Sequence, residues 1–362
     1  MDPHRSRRIA ILAALVVVAA IGVALLGRSG RSGSGGSAAA TDPARSSGGT
    51  AATGAAATTA PTPSRTTPPT SDSTPTTVAA TDPTYPVTSV QLPLYAHNNA
   101  GATVSVPTTV WLPSAGGRAP FPLVVFSTGY QIDPSVYNPL VQAWAAAGYV
   151  VAEPIYPDTA LGSPAIEYDM INHPSELSQV ISTLLADSSG GSGPLAGQID
   201  PARIAVAGQS DGGDVSLAAV ANTCCVDHRI RAAVILSGAE AALFGGAYYT
   251  GTGNPPLLAI QGDADTINPP PCSAQLYDGA AAPRYYLDLP GASHLSAYTG
   301  SGAQFNAVTE VSTAFLDGYL KGITSRISTL PSLAQQSGVS SLVQGSAQVP
   351  ITGGCPGAPG AS

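Results

Sequence analysis

The stretch from Arg203 to Gly213, RIAVAGQSDGG, decides how the rest of the chain is read. An apolar run stops at a serine with Gly208 before it and Gly212 and Gly213 after it, and the apolar helical stretch DVSLAAVAN follows at once. Glycines in a tight strand-to-helix turn are accounted for by crowding alone, because a Cβ would clash there. The sharper reading is a strained, exposed turn that presents the Ser210 hydroxyl as a nucleophile. Which reading holds depends on the other residues the chain places at strand ends.

Upstream and downstream of this turn, short apolar runs alternate with helical periodicity. VTSVQLPLY (87–95) and VSVPTTVWL (104–112) read as early strands, placed at a sheet edge by Pro93 and Pro107. PLVVFS (122–127), YVVAEPI (149–155), RAAVILS (231–237), PLLAIQ (256–261) and RYYLDL (284–289) are continuous apolar runs, as expected for strands buried on both faces. Helices are expected over 138–148, from Pro174 and Ser175 onward, after Ser210, and over 304–321, where Phe305, Val308, Val311, Phe315 and Tyr319 share a face. Alternation of this kind predicts an α/β domain with a doubly wound, mostly parallel sheet. In such a sheet ligands bind beyond the carboxyl ends of the strands, where Ser210 falls.

A serine needs a base, and the base needs an acid. Of the five histidines, only His294, in LPGASHLS after RYYLDL, lies both downstream of Ser210 and at a strand's carboxyl end. The turn after PLLAIQ, QGDADTINPP, offers Asp263 and Asp265. Asp265 lies further into the loop, where it reaches toward the strand end that carries His294. The chain order Ser, Asp, His is the one this fold uses. Backbone N–H groups for an oxyanion hole are expected from Asp211, next to the nucleophile, and from Tyr130 in FSTGYQ. The Asp211 side chain is expected to point away and cap its helix.

The motifs GQSDGG, QGDADTINPP and GASH, in that order, resemble the α/β-hydrolase superfamily over roughly residues 85–321. FSTGYQ, GQIDPARIAVAGQSDGG and DHRIRAAVILSGAE resemble its lidless chlorophyllase-like, dienelactone-hydrolase-like and cutinase-like polyester hydrolase branch. The resemblance implies Ser210 as nucleophile, His294 as base, Asp265 as acid, and Tyr130 and Asp211 as oxyanion donors. No cofactor is expected, and with no Cys-x-x-Cys pair or clustered His-x-x-x-His no metal is expected either. Thr128-Gly129 stands where many relatives have His-Gly, and Gln209 replaces a frequent histidine, departures expected to bear on specificity. Fewer than twenty residues separate RAAVILS from PLLAIQ, too few for a cap domain with its own core. An open site is therefore expected, with Tyr130, Tyr248 and Tyr249 as candidate substrate contacts, surface packing being the competing reading for these tyrosines.

Composition bounds the setting. Residues 9–26, IAILAALVVVAAIGVALL, are uncharged, apolar and long enough to span a bilayer, and Arg5, Arg7 and Arg8 precede them. The expected organisation is a cytoplasmic N-terminus (1–8), a signal-anchor helix (9–26), a disordered Gly/Ser/Thr/Pro/Ala linker (27–84), a catalytic domain (85–322) and a C-terminal tail (323–362). Cleavage of the apolar run as a signal peptide, with secretion, is the alternative. The net charge is −8 and the sole lysine is Lys321, which argues against a nucleic-acid partner. In an exported chain, the four cysteines suggest disulfides. Cys272–Cys355 would pin the tail, and Cys224–Cys225 would form a vicinal pair. The sequence therefore reads as a membrane-tethered, extracytoplasmic serine ester hydrolase, with a serine peptidase of the same fold or a non-catalytic wall-binding protein as alternatives.

Overall fold

In the computed structural model, residues 84–114, 118–250, 253–351 and 353–358 are described. The chain divides into units 1–76 and 77–362, and every described residue belongs to the second. The expected anchor and nearly all of the expected linker lie outside the described residues. Among the described residues, no helix is long and apolar enough to cross a membrane.

Nine strands form one sheet: β1 (Val87–His97), β2 (Thr103–Pro113), β3 (Phe121–Ser127), β4 (Val150–Pro154), β5 (Ile199–Gln209), β6 (Ile230–Leu236), β7 (Leu257–Gly262), β8 (Arg284–Leu289) and β9 (Ser341–Gln344). Their spatial order is β1-β2-β4-β3-β5-β6-β7-β8-β9. From β4 to β8 neighbouring strands run parallel, while β1, β2 and β9 pair antiparallel. The α/β expectation is met. The apolar runs β3, β4 and β7 are buried at every residue, because helices cover both faces.

One face carries α1 (Asn138–Ala146) and α5 (Ala303–Leu320), whose Leu140, Trp144, Val311 and Phe315 meet Val124, Val151, Val234 and Ile260 of the sheet. The other carries α2 (His173–Ser189), α3 (Asp211–Ala221) and α4 (Pro270–Gly279), through Leu177, Ile181, Leu217 and Leu276. Burying each such side chain contributes roughly 1.5–3 kcal/mol.

Three details differ from the sequence expectation. Pro107 is not on an edge strand: β2 lies between β1 and β4, and Pro93 faces Pro107, so two missing N–H groups share one rung. The α4 helix was not evident from periodicity, because its sequence, PPCSAQLYDG, starts with prolines and has a weak apolar stripe. Residues 323–362 are also more than a tail. Helix α6 (Thr324–Ala334) buries Leu330 and Ala334 in the α1–α5 face, and β9 adds to the edge of β8. The cause is packing with α5: Gly318 lacks the Cβ that would lie 2.2 Å from Ile327 Cδ1, which lets α6 lie close.

Candidate active site

Parallel β5, β6, β7 and β8 all end on one side of the sheet, and the loops after β5, β7 and β8 carry Ser210, Asp265 and His294. Ser210 sits between the last residue of β5 and the first of α3, at φ 57° and ψ −129°. A non-glycine residue there is strained and persists only where its surroundings hold it. They do: the Ser210 N–H donates to the Leu236 carbonyl at 2.9 Å. The neighbouring glycines answer to close approach. A Cβ on Gly208 would lie 2.0 Å from the Gly212 carbonyl oxygen, and one on Gly212 2.0 Å from that of Ser127. Crowding therefore accounts for the glycines, while the strain falls on the serine.

His294 Nε2 lies 2.8 Å from Ser210 Oγ, and His294 Nδ1 lies 2.7 Å from Asp265 Oδ2. Both Ser210 and Asp265 are buried. The second oxygen of Asp265 accepts the backbone N–H groups of Ile267 (2.9 Å) and Asn268 (3.1 Å), and Gln261 Nε2 reaches Oδ2 at 3.2 Å. Burial raises the Asp265 carboxyl, but the hydrogen bond and charge of His294 and the Ile267 N–H outweigh it and hold the group below its ordinary range. Asp265 is therefore a carboxylate oriented from both sides. Asp263 is set apart: it accepts the N–H of Gly291, tying the β7 loop to the loop that carries His294 rather than bonding within its own turn.

The loop after β3 lies against the serine, since a Cβ on Gly129 would be 3.3 Å from Ser210 Cβ. Tyr130 follows, and its hydroxyl donates to the Ala165 carbonyl at 2.7 Å. Asp211 opens α3, where the first N–H groups of a helix have no partner within it. Its side chain differs from expectation. Its Oδ2 is buried and accepts no hydrogen bond, and burial followed by the charge of Glu167 pushes the carboxyl up to about 7 against the opposing pull of its own backbone N–H. Asp214, further into the first turn of α3, accepts the Ala239 N–H at 2.6 Å through Oδ1, which ties the helix to the loop after β6.

Tyr248 and Tyr249 are not brought to the serine. Tyr248 bridges to Asn222 beyond the far end of α3, about 18 Å along that helix from Ser210 at 1.5 Å per residue. Its hydroxyl bonds Ala241, that of Tyr249 bonds the Leu276 carbonyl, and both rings pack on the core. The structure thus places this pair against the core, away from Ser210. Cys272 of α4 is bonded to Cys355, and Cys224 to Cys225, so no cysteine is free.

Sequence reasoning missed Gln261 and Asn268 and gave Gln209 a different part. Asn268 Nδ2 donates to the Ser237 carbonyl at 2.8 Å, which holds the Asp265 loop to the end of β6. The available signal was a glutamine closing each of two apolar strands, Gln209 in β5 and Gln261 in β7. Gln209 is also a correction: its side chain is wholly buried, so its departure from the family pattern does not face substrate. Cavities of about 300 Å³ around His228 and Arg231 and about 330 Å³ around Arg118 and Lys321 lie elsewhere, and no triad residue lines either. Among the described residues, no group of three or more His, Cys, Asp or Glu side chains is arranged to hold a metal ion.

Compared with known protein families, residues 61–325 match the family described as PETase: PET hydrolase-like, which is more than half of the chain. A search of curated proteins finds no match.

Proposed function

Since the chain belongs to the PET hydrolase-like family of polyester hydrolases within the α/β-hydrolase superfamily, we propose that it cleaves esters through Ser210, His294 and Asp265. The observation that carries this reading is the continuous chain of contacts from Ser210 Oγ through both His294 nitrogens to Asp265. In the proposed cycle His294 Nε2 takes the Ser210 proton as Oγ bonds the ester carbonyl carbon. The carbonyl oxygen becomes an oxyanion, held by the N–H groups of Asp211 and Tyr130. Collapse breaks the carbon–oxygen bond to the alcohol, which leaves with the proton from His294. Water, deprotonated by the same imidazole, then releases the acid and restores Ser210. Asp265 holds the tautomer that leaves Nε2 free to accept.

An open, apolar surface supports a bulky or polymeric ester as substrate. Leu161, Ile166, Tyr168 and Ile267 are exposed, at 48–67 %, on the loops after β4 and β7 that border the triad. Large apolar side chains left exposed on the loops at the carboxyl ends of the strands support a contact surface there. Among the described residues, the β6–β7 connection contains one short helical turn, Ala242–Phe244, and no domain that would cover the serine.

We place the domain outside the cell, held by residues 9–26 through the linker; sequence alone supports this part. It is checked by cell fractionation and by a chain of residues 84–362, expected to be soluble and active. For the chemistry, the experiment is covalent labelling by a fluorophosphonate, together with turnover of p-nitrophenyl esters, aminoacyl anilides and a polyester film. Labelling at Ser210 with ester turnover is expected, abolished in Ser210→Ala. Preference for anilides points to a peptidase, and no labelling points to a binding protein.

A further inference from the structure

Gln209 precedes the proposed nucleophile, and its side chain turns away from solvent into a fully buried position. Its Nε2 donates to the backbone carbonyl of His294 at 2.9 Å, and its Oε1 accepts the Tyr137 hydroxyl at 2.6 Å. The orientation of the amide follows from chemistry, because a carbonyl can only accept and so must face the NH₂ end. Tyr137 is itself wholly buried, beside α1, so one end of the amide is fixed by the core while the other holds the loop of His294. The same Oε1 limits the loop after β3: a Cβ on Gly129 would lie 2.7 Å from it. One side chain thus touches the loop of the base, the loop of the expected oxyanion donor Tyr130, and the core under both.

We infer that Gln209 is a positioning residue that sets the spacing between the His294 loop and the Gly129–Tyr130 loop; this rests on the reading of Ser210 and His294 as nucleophile and base. The imidazole must meet Oγ and Asp265 at once, at 2.8 and 2.7 Å, from a loop that has no regular secondary structure. The His294 carbonyl is on the same residue as that ring, so holding it restricts where the ring can sit. Displacement of a catalytic group by about 1 Å costs on the order of 100-fold in rate.

Gln209→Leu keeps similar bulk but removes the amide contacts to the Tyr137 hydroxyl and the His294 carbonyl. Gln209→Glu keeps an acceptor for Tyr137 and turns an oxygen toward the His294 carbonyl. Tyr137→Phe leaves the bond to His294 in place. We expect kcat on a soluble ester to fall about 10–100-fold in both Gln209 variants, with KM within about twofold. Tyr137→Phe should fall less than about threefold. The low-field proton resonance of the His294–Asp265 hydrogen bond should broaden or vanish in the Gln209 variants and persist in Tyr137→Phe. Circular dichroism and thermal midpoints separate this from simple unfolding. Should Gln209→Leu not fold, Gln209→Asn, which withdraws the amide by one methylene, carries the same expectation. Folded Gln209 variants with wild-type kcat and an unchanged resonance overturn the inference. A wild-type protein that neither labels at Ser210 nor turns over esters overturns the functional reading instead, and the resonance still tests Gln209.

Discussion

Asp265 meets His294 through one oxygen, at 2.7 Å, while its other oxygen is held by the N–H groups of Ile267 and Asn268. The carboxylate therefore cannot rotate away from the imidazole without breaking two backbone bonds. Replacing it by asparagine keeps the shape but allows the wrong tautomer. We expect Asp265→Asn to lower kcat by about 10⁴ with the fold intact. Asp263→Asn keeps an oxygen that can accept the Gly291 N–H and loses only the charge on that contact, of about 1 kcal/mol, and should stay within about tenfold of wild type. Steady-state kinetics beside circular dichroism check the pair, and the reverse ranking removes Asp265 from the proposed triad.

Asp211 brings a titratable group to the residue whose N–H is the proposed oxyanion donor. Burial first, then Glu167, raises it to about 7, and it in turn helps raise Tyr130, Tyr137 and Asp214. Below that pH it is neutral; above it a negative charge stands beside a developing negative charge. We expect kcat/KM to decline by about tenfold or more as pH rises from 6 to 9, a modest share of the Coulomb repulsion at such range. Asp211→Asn keeps the N–H and should remove the decline. A variant with the wild-type profile shows that the charge of Asp211 does not reach the reaction.

The buried carboxyls also make stability depend on pH. Burial raises Glu153 and Glu176 to about 7, as it does Asp211, and lifts Asp214 well above the carboxylate range. With folded values above unfolded ones, their contribution is complete below pH of about 4 and is lost as pH rises through about 7 and beyond. Asp169, Asp227 and Asp265 are held low and act in the opposite sense, losing their contribution only as pH falls through the acid range. The melting temperature at pH 5 should therefore exceed that at pH 8 by about 5 °C or more. Asp214→Asn, able to accept the same Ala239 N–H, should narrow the gap. Calorimetry showing stability that rises from pH 5 to pH 8 contradicts the assignment.

The Cys272–Cys355 bond closes a loop of sequence separation 83 and brings the C-terminal segment onto α4. Restricting the unfolded chain in this way stabilises by about 2–4 kcal/mol. Cys355→Ser should lower the urea midpoint accordingly and leave kcat on a soluble ester near wild type, since neither cysteine touches the triad. An unchanged midpoint means the bond does not form in solution.

Much of this was legible in the chain because it depends on local pattern. Continuous apolar runs named the buried strands, and loop position with chain order selected Ser210, Asp265 and His294. The rest depended on which side chains meet across long separations. Tyr248 and Tyr249 look like rim aromatics in sequence, yet the length of α3 carries their attachment point away from the serine. Residues 323–362 look like a tail, yet α6 and β9 complete the face and the sheet, because Gly318 and the open edge of β8 accept them. Gln209 and Asp211 flank the same serine with no periodic cue to separate them. Only the packing of Tyr137, Glu167 and the His294 loop around them made one a strut bonded at both ends and left the other with a buried, unbonded oxygen. Periodicity records which faces are apolar, but a buried polar group is defined by partners that the fold brings from 72 or 85 residues away.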